Sequence, residues 1–388
     1  MYLRALQLRQ FRNYDQQLVC FEAPKTILVG DNAQGKTNLL EAVELLTTLR
    51  SRRVTRDRDL VRWEQPQASI TAQIERVGIP HELKIQLRSS GRRTLQADGQ
   101  TQARQMDFLG QVNGVVFSSL DLQLVQGGPD QRRSWLDDVL VQLEPLYAHL
   151  LAQYRRVLKQ RNALLKQQRE HLKRGDPWSE ADPHLAAHEL GGWDQELAVA
   201  GGRLMRRRAR LLERLNPLAD RWHQAISGGR EVLQLTYQPQ VPLPQGSEGP
   251  DQVQDLLLQA MTEMRSAERA YGSSLVGPHR DEVELVINGT PARLYGSQGQ
   301  QRTLVLALKL AELELIEQVI GDPPLLLLDD VLAELDPYRQ DQLLDAIQNR
   351  VQTLVTTTHL GSFKSRWLES AQVMKVNQGS VQLVKANI

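Results

Sequence analysis

Two glycines separated by four residues and followed by Lys-Thr, in Gly30-Asp31-Asn32-Ala33-Gln34-Gly35-Lys36-Thr37, have the spacing of a phosphate-cradling loop. Glycine lets the backbone come close to an anion, so that successive N–H groups can converge on it. The start of the helix that follows adds its positive end. In such a loop Lys36 reaches the β- and γ-phosphates of a nucleoside triphosphate, and the Thr37 hydroxyl is placed to ligate Mg²⁺. The candidate nucleotide contacts are therefore Gly30, Asp31, Asn32, Ala33, Gln34, Gly35, Lys36, Thr37 and Asn38.

A second set of chemical groups lies near the other end of the chain. Leu325 to Leu328 is a fully apolar run that ends in Asp329-Asp330. Asp329 suits Mg²⁺, held directly or through water, and Asp330 is placed to orient or activate an attacking water. His359 closes the run Thr353 to Thr357, at a strand tip beside the expected γ-phosphate position. Ser297-Gln298-Gly299-Gln300 opens a long apolar helix and offers a second anion-ready helix start. One chain rarely needs two such starts for one triphosphate.

The elements around these groups fit their roles. Lys25 to Val29 reads as a strand and Asn38 to Leu46 as an amphipathic helix, the strand-loop-helix context that the first motif requires. The apolar run at 325–328 reads as a buried parallel strand, and ligands of open α/β sheets bind at the carboxyl ends of such strands. Alternation predicts a strand pair at 2–9 and 17–21 joined across Phe11-Arg12-Asn13-Tyr14, antiparallel strands at 69–77, 80–88 and 92–97, and another strand at 114–117.

Beyond Gly127-Gly128-Pro129 the pattern becomes helical. Leu136, Leu140, Leu143, Tyr147, Leu150, Tyr154 and Val157 recur at alternating four- and three-residue steps, reaching Leu164 after a break at Arg161, as in a coiled-coil seam. A polar stretch at 174–183 precedes a second helical pattern from Leu190 to Leu211, so the pair predicts an antiparallel projecting arm. At ~1.5 Å per residue, helices of about 35–40 residues extend roughly 50–60 Å. A loop rich in Pro, Gln and Gly at 238–250 and a helix at 251–270 follow. Basic residues cluster on the arm, including Arg206, Arg207 and Arg208, and in the loop behind the first motif, at Arg50, Arg52, Arg53 and Arg56; both are candidate DNA contacts.

Length and charge narrow the functional classes. A chain of 388 residues has room for two domains, and its net charge of +1 provides no global attraction to nucleic acid or membrane, so a polyanion site must come from local clustering. The single cysteine, Cys20, excludes an internal disulfide and a cysteine-based metal site. The densest apolar run is too short to span a bilayer, and a soluble, cytoplasmic protein is expected.

The order of the motifs is that of an ABC-type ATPase head: an α/β fold with a P-loop and a mixed sheet, interrupted by an inserted α-helical, coiled-coil-like arm. Phe11-Arg12-Asn13-Tyr14, the loop through Ala42, Gly277-Pro278-His279-Arg280-Asp281, Ser297-Gln298-Gly299-Gln300-Gln301-Arg302 and Leu327 to Asp336 resemble the motifs of the RecF family, bacterial repair relatives of the SMC proteins. The resemblance implies an N-terminal head lobe at 1–127, an arm at 128–271 and a C-terminal head lobe at 272–388. It places Arg12, Asn13, Ser297, Gln298, Gly299 and Gln300 on nucleotide, and Asp330 and His359 in catalysis. It implies ATP and Mg²⁺ as cofactors and an ATP-dependent homodimer that binds single-strand/double-strand DNA junctions at gaps. RecR and RecO would be its partners in loading RecA and supporting the SOS response, with no membrane partner. The usual signature has two central glycines where this chain has Gln298-Gly299, and the usual catalytic Glu is Asp330, whose shorter side chain implies weak ATPase activity used as a switch. An ATP-binding subunit of a transporter is the rival reading, and it gives no reason for an arginine-rich arm.

Overall fold

The computed structural model describes residues 1–174, 183–243, 250–347, 350–363 and 365–384. The strands β1 (Tyr2–Phe11) and β2 (Tyr14–Cys20) pair across the Arg12-Asn13 turn, with Phe11 opposite Tyr14. Arg12 supplies the left-handed backbone of that two-residue connection, at φ 53°. Between them and the next antiparallel strands runs β3 (Lys25–Val29), which belongs to a different sheet. Then β4 (Gln67–Arg76), β5 (Ile79–Arg88), β6 (Thr94–Ala97) and β7 (Gln100–Thr101) complete an antiparallel sheet of order β2-β1-β4-β5-β6-β7. One face of it is apolar, with Ala68, Ile70, Ala72 and Ile74 buried along β4 and Leu83, Ile85 and Leu87 along β5.

The central sheet has a different logic. The strands β8 (Gly114–Ser118), β12 (Leu325–Asp329), β13 (Thr353–Thr357), β3 and β14 (Ala371–Asn377) are parallel, and β15 (Ser380–Leu383) adds an antiparallel edge, in the order β15-β14-β3-β13-β12-β8. Leu325 to Leu328 are all buried, because this sheet is covered on both faces. A small third sheet joins β9 (Leu233–Gln238), β10 (Glu282–Ile287) and β11 (Thr290–Pro291).

Among the described residues the longer helices are α1 (Lys36–Thr48), α2 (Pro129–Leu143), α3 (Pro145–Arg174), α4 (Pro183–Ser227), α5 (Pro250–Glu263), α6 (Arg265–Tyr271), α7 (Gln298–Ile320) and α8 (Pro337–Ile347). The apolar seam starting at Leu136 is two helices rather than one. Glu144, at φ −134° and ψ 89°, interrupts it because a residue before proline is pushed out of the α region and Pro145 has no N–H to continue the ladder. The helix expected at 251–270 is likewise divided, at Met264. The predicted reversal of the arm at 175–182 and the loop segment 244–249 lie outside the described residues.

Arg161 does not break α3. It is fully buried and donates from Nε to Asp194 Oδ1 at 2.7 Å, from Nη2 to Glu268 Oε2 at 2.6 Å and from Nη1 to Ser274 Oγ at 2.7 Å. One guanidinium thus ties α3, α4 and α6 together where the apolar repeat lapses. Arg161→Met removes the cation paired with buried Glu268 and one of the two paired with Asp194, which keeps Arg265 at 2.6 Å. Breaking a buried pair in this way costs about 3–5 kcal/mol. Urea unfolding should read that loss, and a change under about 1 kcal/mol would show that the cluster is not what holds these helices together.

The base of the arm is fused to the head. Along its C-terminal part α4 packs on α7, where the Trp222 indole donates to Glu314 Oε2 at 2.9 Å. The Gly277–Asp281 segment forms the joint. His279 is held neutral, since burial lowers its pKa to about 4. Its Nε2 donates to the Ser274 carbonyl at 3.2 Å, which leaves Nδ1 to accept from Tyr154 Oη at 2.6 Å. Asp281, also buried, accepts from the Tyr237 hydroxyl and from Gln240 N.

Candidate nucleotide-binding site

The loop 30–35 owes its shape to contacts on its outer side. Gly35 stands at φ 117°, and a Cβ there would lie 2.6 Å from Asn13 Nδ2 and 3.1 Å from Tyr14 Oη. A side chain on Gly30 would meet the Val376 carbonyl of β14 at 2.3 Å. Both positions need glycine. From the β1–β2 turn, Tyr14 Oη donates to Gly35 O and Asn13 Nδ2 to Gln34 O, each at 3.0 Å, while Asn38 Nδ2 donates to Asn13 Oδ1 at 2.8 Å. From the β14–β15 turn, Gly379 N donates to Gln34 O at 3.0 Å. Lys36, which opens α1, is nearly buried and donates from Nζ to Gly30 O at 2.7 Å and to Asp31 O at 2.9 Å.

The acids meet this loop. Thr37 Oγ1 donates to Asp329 Oδ1 at 2.9 Å, and Thr356 Oγ1 donates to the same oxygen at 2.8 Å. Burial pushes the Asp329 carboxyl up, against the two hydroxyls. A half-buried carboxylate beside a threonine hydroxyl is an oxygen pair that fits Mg²⁺, which takes one or two carboxylates together with substrate phosphates. Asp330 is half-buried at φ 54° and donates from its backbone N to Thr356 Oγ1 at 2.9 Å. His359 is exposed just past β13. Because β3, β13 and β12 are neighbours, Lys36, Thr37, Asp329, Asp330 and His359 all gather at the carboxyl ends of three adjacent parallel strands.

The predicted second helix start is present and well capped. Ser297 Oγ accepts from Gln300 N at 3.2 Å, and Gln300 Oε1 accepts from Ser297 N at 2.8 Å, a reciprocal capping box on α7. Ser297 and Gln298 are exposed, while Gly299 and Gln300 are half-buried. Arg339 Nη2 donates to Gly299 O at 3.1 Å and so holds the turn. Among the described residues no hydrogen bond joins 296–300 to the loop 30–38.

Several of the predicted contact residues have partners within the chain. The Arg12 guanidinium grips Glu41 of α1 with two bonds, at 2.8 and 2.7 Å, and donates to Asp59 O at 2.8 Å. Arg12 and Asn13 are thus bracing groups of the loop and its helix. In the basic loop, Arg50 pairs with Asp138 at 2.8 Å and Arg52 with Glu44 at 2.9 Å and Asp121 at 2.8 Å. These pairs edge a cavity of about 610 Å³, where desolvation raises the Glu44 carboxyl to about 7 despite Arg52. Arg53 donates to Asn38 Oδ1 at 3.0 Å, and Arg56 is exposed.

Arg208 must be removed from the candidate DNA contacts. It is only 3% exposed, bonds Asp137 from Nε at 3.0 Å and donates from Nη1 to Pro278 O at 2.6 Å. Successive helical residues are turned by roughly 100°, so three arginines in a row cannot share one face. Arg207 pairs with Glu144 at 2.8 Å, and Arg206 is half-buried.

The RecF/RecN/SMC N terminal domain family matches residues 2–382. The DNA replication and repair protein RecF of Synechococcus sp. (strain JA-2-3B'a(2-13)) is 65% identical over 98% of this chain and 97% of its own length. That of Cyanothece sp. (strain PCC 7425 / ATCC 29141) is 61% identical over 98% of each. The chain belongs to the RecF family. A solved structure of the recombination mediator protein RecF with ATP, in the RecFOR pathway, superposes with a TM-score of 0.87 at 29% identity, over 99% of this chain and 97% of that one. The fold is accordingly the ABC-type ATPase head with its helical arm.

Within this RecF head, sequence reasoning missed the groups that hold the site. Tyr14, Glu41, Thr356 and Arg339 each fix a functional segment through one or two bonds to residues distant in sequence. Gln126 Nε2 donates to Gln301 Oε1 at 2.8 Å and links the segment before α2 to α7. Among the described residues there is no cluster of three or more His, Cys, Asp or Glu side chains able to hold a metal, and no helix long and apolar enough to cross a membrane.

Proposed function

We propose that this chain is an ATP-dependent DNA-binding protein of recombinational repair and replication, a slow ATPase in which hydrolysis works as a switch. The observation that carries this reading is the meeting of Lys36, Thr37, Asp329 and Asp330 at one sheet end, in a chain whose second anion-ready helix start has, among the described residues, no bond to the loop 30–38. The loop 30–38 with Lys36 would hold ATP, and Thr37 and Asp329 would hold Mg²⁺, which would neutralise charge on the phosphates. Asp330 and His359 face the γ-phosphate. Two chains close over two nucleotides, each signature at Ser297 meeting the partner's ATP. The division into head lobes at 1–127 and 272–388 with an arm at 128–271 follows the same plan. The dimer binds single-strand/double-strand junctions at gaps in the cytoplasm, and RecR and RecO join it in loading RecA and supporting SOS induction.

Support for the nucleotide comes from the RecF relative solved with ATP, and for the DNA from the names of the curated relatives. Sedimentation with and without ATP and gapped DNA tests the reading. ATP should double the mass, and gapped DNA should co-sediment only when ATP is present. A monomer in ATP that binds no DNA would overturn it.

A further inference from the structure

Trp63 is 87% exposed, the largest apolar side chain left in water to that extent among the described residues. It occupies the first corner of a tight turn, Arg62 to Gln65, closed by Gln65 N on Arg62 O at 3.0 Å, with Glu64 at φ 64° in the second corner. The turn has a firm base. Val61 bridges Phe11 at the end of β1, and Arg62 N donates to Gln10 O at 2.8 Å. The indole therefore stands on the rim of the antiparallel sheet, on a base that does not need to be ordered when something binds.

The surroundings are cationic. Ser89 donates to Pro66 O from N at 3.0 Å and from Oγ at 3.1 Å, which draws the β5–β6 connection, with exposed Arg88 and Arg92, up to the turn. Arg93 grips Asp57, which fastens that connection to the segment carrying exposed Arg56 and Arg58. Three of the four local carboxylates are already engaged, Asp57 by Arg93, Asp15 by Arg62 at 3.1 Å and Asp59 by Arg58 at 3.6 Å, and Glu64 remains against Arg56, Arg88 and Arg92. Of the other exposed large apolar residues, Val77 and Ile79 lie at the opposite end of β4 and β5. A protein-binding hot spot has apolar neighbours that exclude water around its anchor. A lone planar ring among arginines instead matches the way single strands are held, with bases stacked on aromatic rings and phosphates on guanidinium groups.

We propose that Trp63 is a stacking platform for an unpaired DNA base, with Arg56, Arg58, Arg88 and Arg92 on the flanking phosphates. This rests on the DNA-binding reading above and names the surface that takes its single-stranded part. Bases inside a duplex are already stacked on one another and do not reach such a ring, so the platform distinguishes the gap from its flanks. The patch also adjoins the nucleotide site, because Arg12 bonds both Glu41 of α1 and the Asp59 carbonyl.

The test compares the full-length parent, Trp63→Ala and Trp63→Phe, each with ATP, on an oligothymidine strand, a gapped duplex and a blunt duplex. Trp63→Ala should weaken the single strand roughly 5- to 100-fold, the range of one base–aromatic stack. Its binding to blunt duplex and to ATP should stay within about twofold of the parent, and Trp63→Phe should recover most of the loss. An exposed side chain carries little of the fold, and circular dichroism checks that each variant is folded. If the parent binds DNA and Trp63→Ala binds oligothymidine equally well, the platform is wrong while the DNA-binding reading stands. A parent that binds none of the DNAs with ATP sinks both. Intact DNA binding with loss of a protein partner would assign the patch to protein and overturn the proposal.

Discussion

Lys36→Ala should abolish tight nucleotide binding and, with it, dimerisation and DNA binding. The ammonium is nearly buried and rests on the carbonyls of Gly30 and Asp31, at the point where the loop must hold β- and γ-phosphates. Removing one partner of a buried charge pair costs about 2–5 kcal/mol, which corresponds to an ATP affinity lower by at least ~30-fold. The change also leaves two loop carbonyls without their donor. Asp330→Asn provides the contrast. Asn accepts the left-handed backbone that Asp330 adopts at φ 54°, so the turn after β12 survives while the carboxylate is lost. That variant should bind ATP, accumulate as a dimer on DNA and release little phosphate. Calorimetry with ATP and steady-state phosphate release separate the two results. Full turnover by Asp330→Asn would reject the part assigned to that carboxylate, and parental ATP affinity in Lys36→Ala would reject the loop.

Much of this site was legible in the sequence because its signals are local. A glycine pattern between a strand and a helix, and a run of leucines ending in two aspartates, each specify a short segment whose conformation hardly depends on the rest of the chain. The proline at 145 carried the same kind of signal, and the break at Glu144 follows from it once proline is allowed to outweigh the apolar repeat. What sequence could not give is pairing over long separations. Arg161 looked like a defect in a seam because Asp194 and Glu268 lie far along the chain. Arg208 looked like one of three surface cations, and its burial depends on Asp137 and the Pro278 carbonyl. Arg12 reads as a nucleotide contact, and its partner within the chain, Glu41, was not readable beside it. In each case residue type was readable and the partner was not, and for a charged side chain the partner decides whether the group serves the fold or a ligand.

Ser297→Arg should prevent two chains from closing while leaving the ATP site of each chain nearly intact. Ser297 is exposed, its hydroxyl is committed to Gln300 N, and the first N–H groups of α7 have no acceptor within the helix. Those groups and the positive helix end call for an anion, and the loop 30–38 of the same chain makes no hydrogen bond to them among the described residues. In the proposed dimer the anion is the partner's triphosphate, and a two-fold axis repeats the arrangement so that two nucleotides lie across one isologous interface. Exposed Tyr295 and Leu294, just before the signature, and Tyr338, next to the arginine that holds Gly299, would then be covered by the second chain. An arginine at 297 places a bulky cation where the phosphate must enter, and it also removes the cap. Ser297→Ala isolates the second effect, since losing a serine cap costs helix stability about 1 kcal/mol but introduces neither bulk nor charge. Light scattering with ATP should therefore report a dimer for the parent, a weakened dimer for Ser297→Ala and a monomer for Ser297→Arg, with similar ATP affinities by calorimetry. A Ser297→Arg chain that dimerises like the parent would place the signature outside the interface, and ATP could no longer be the group that joins the two heads.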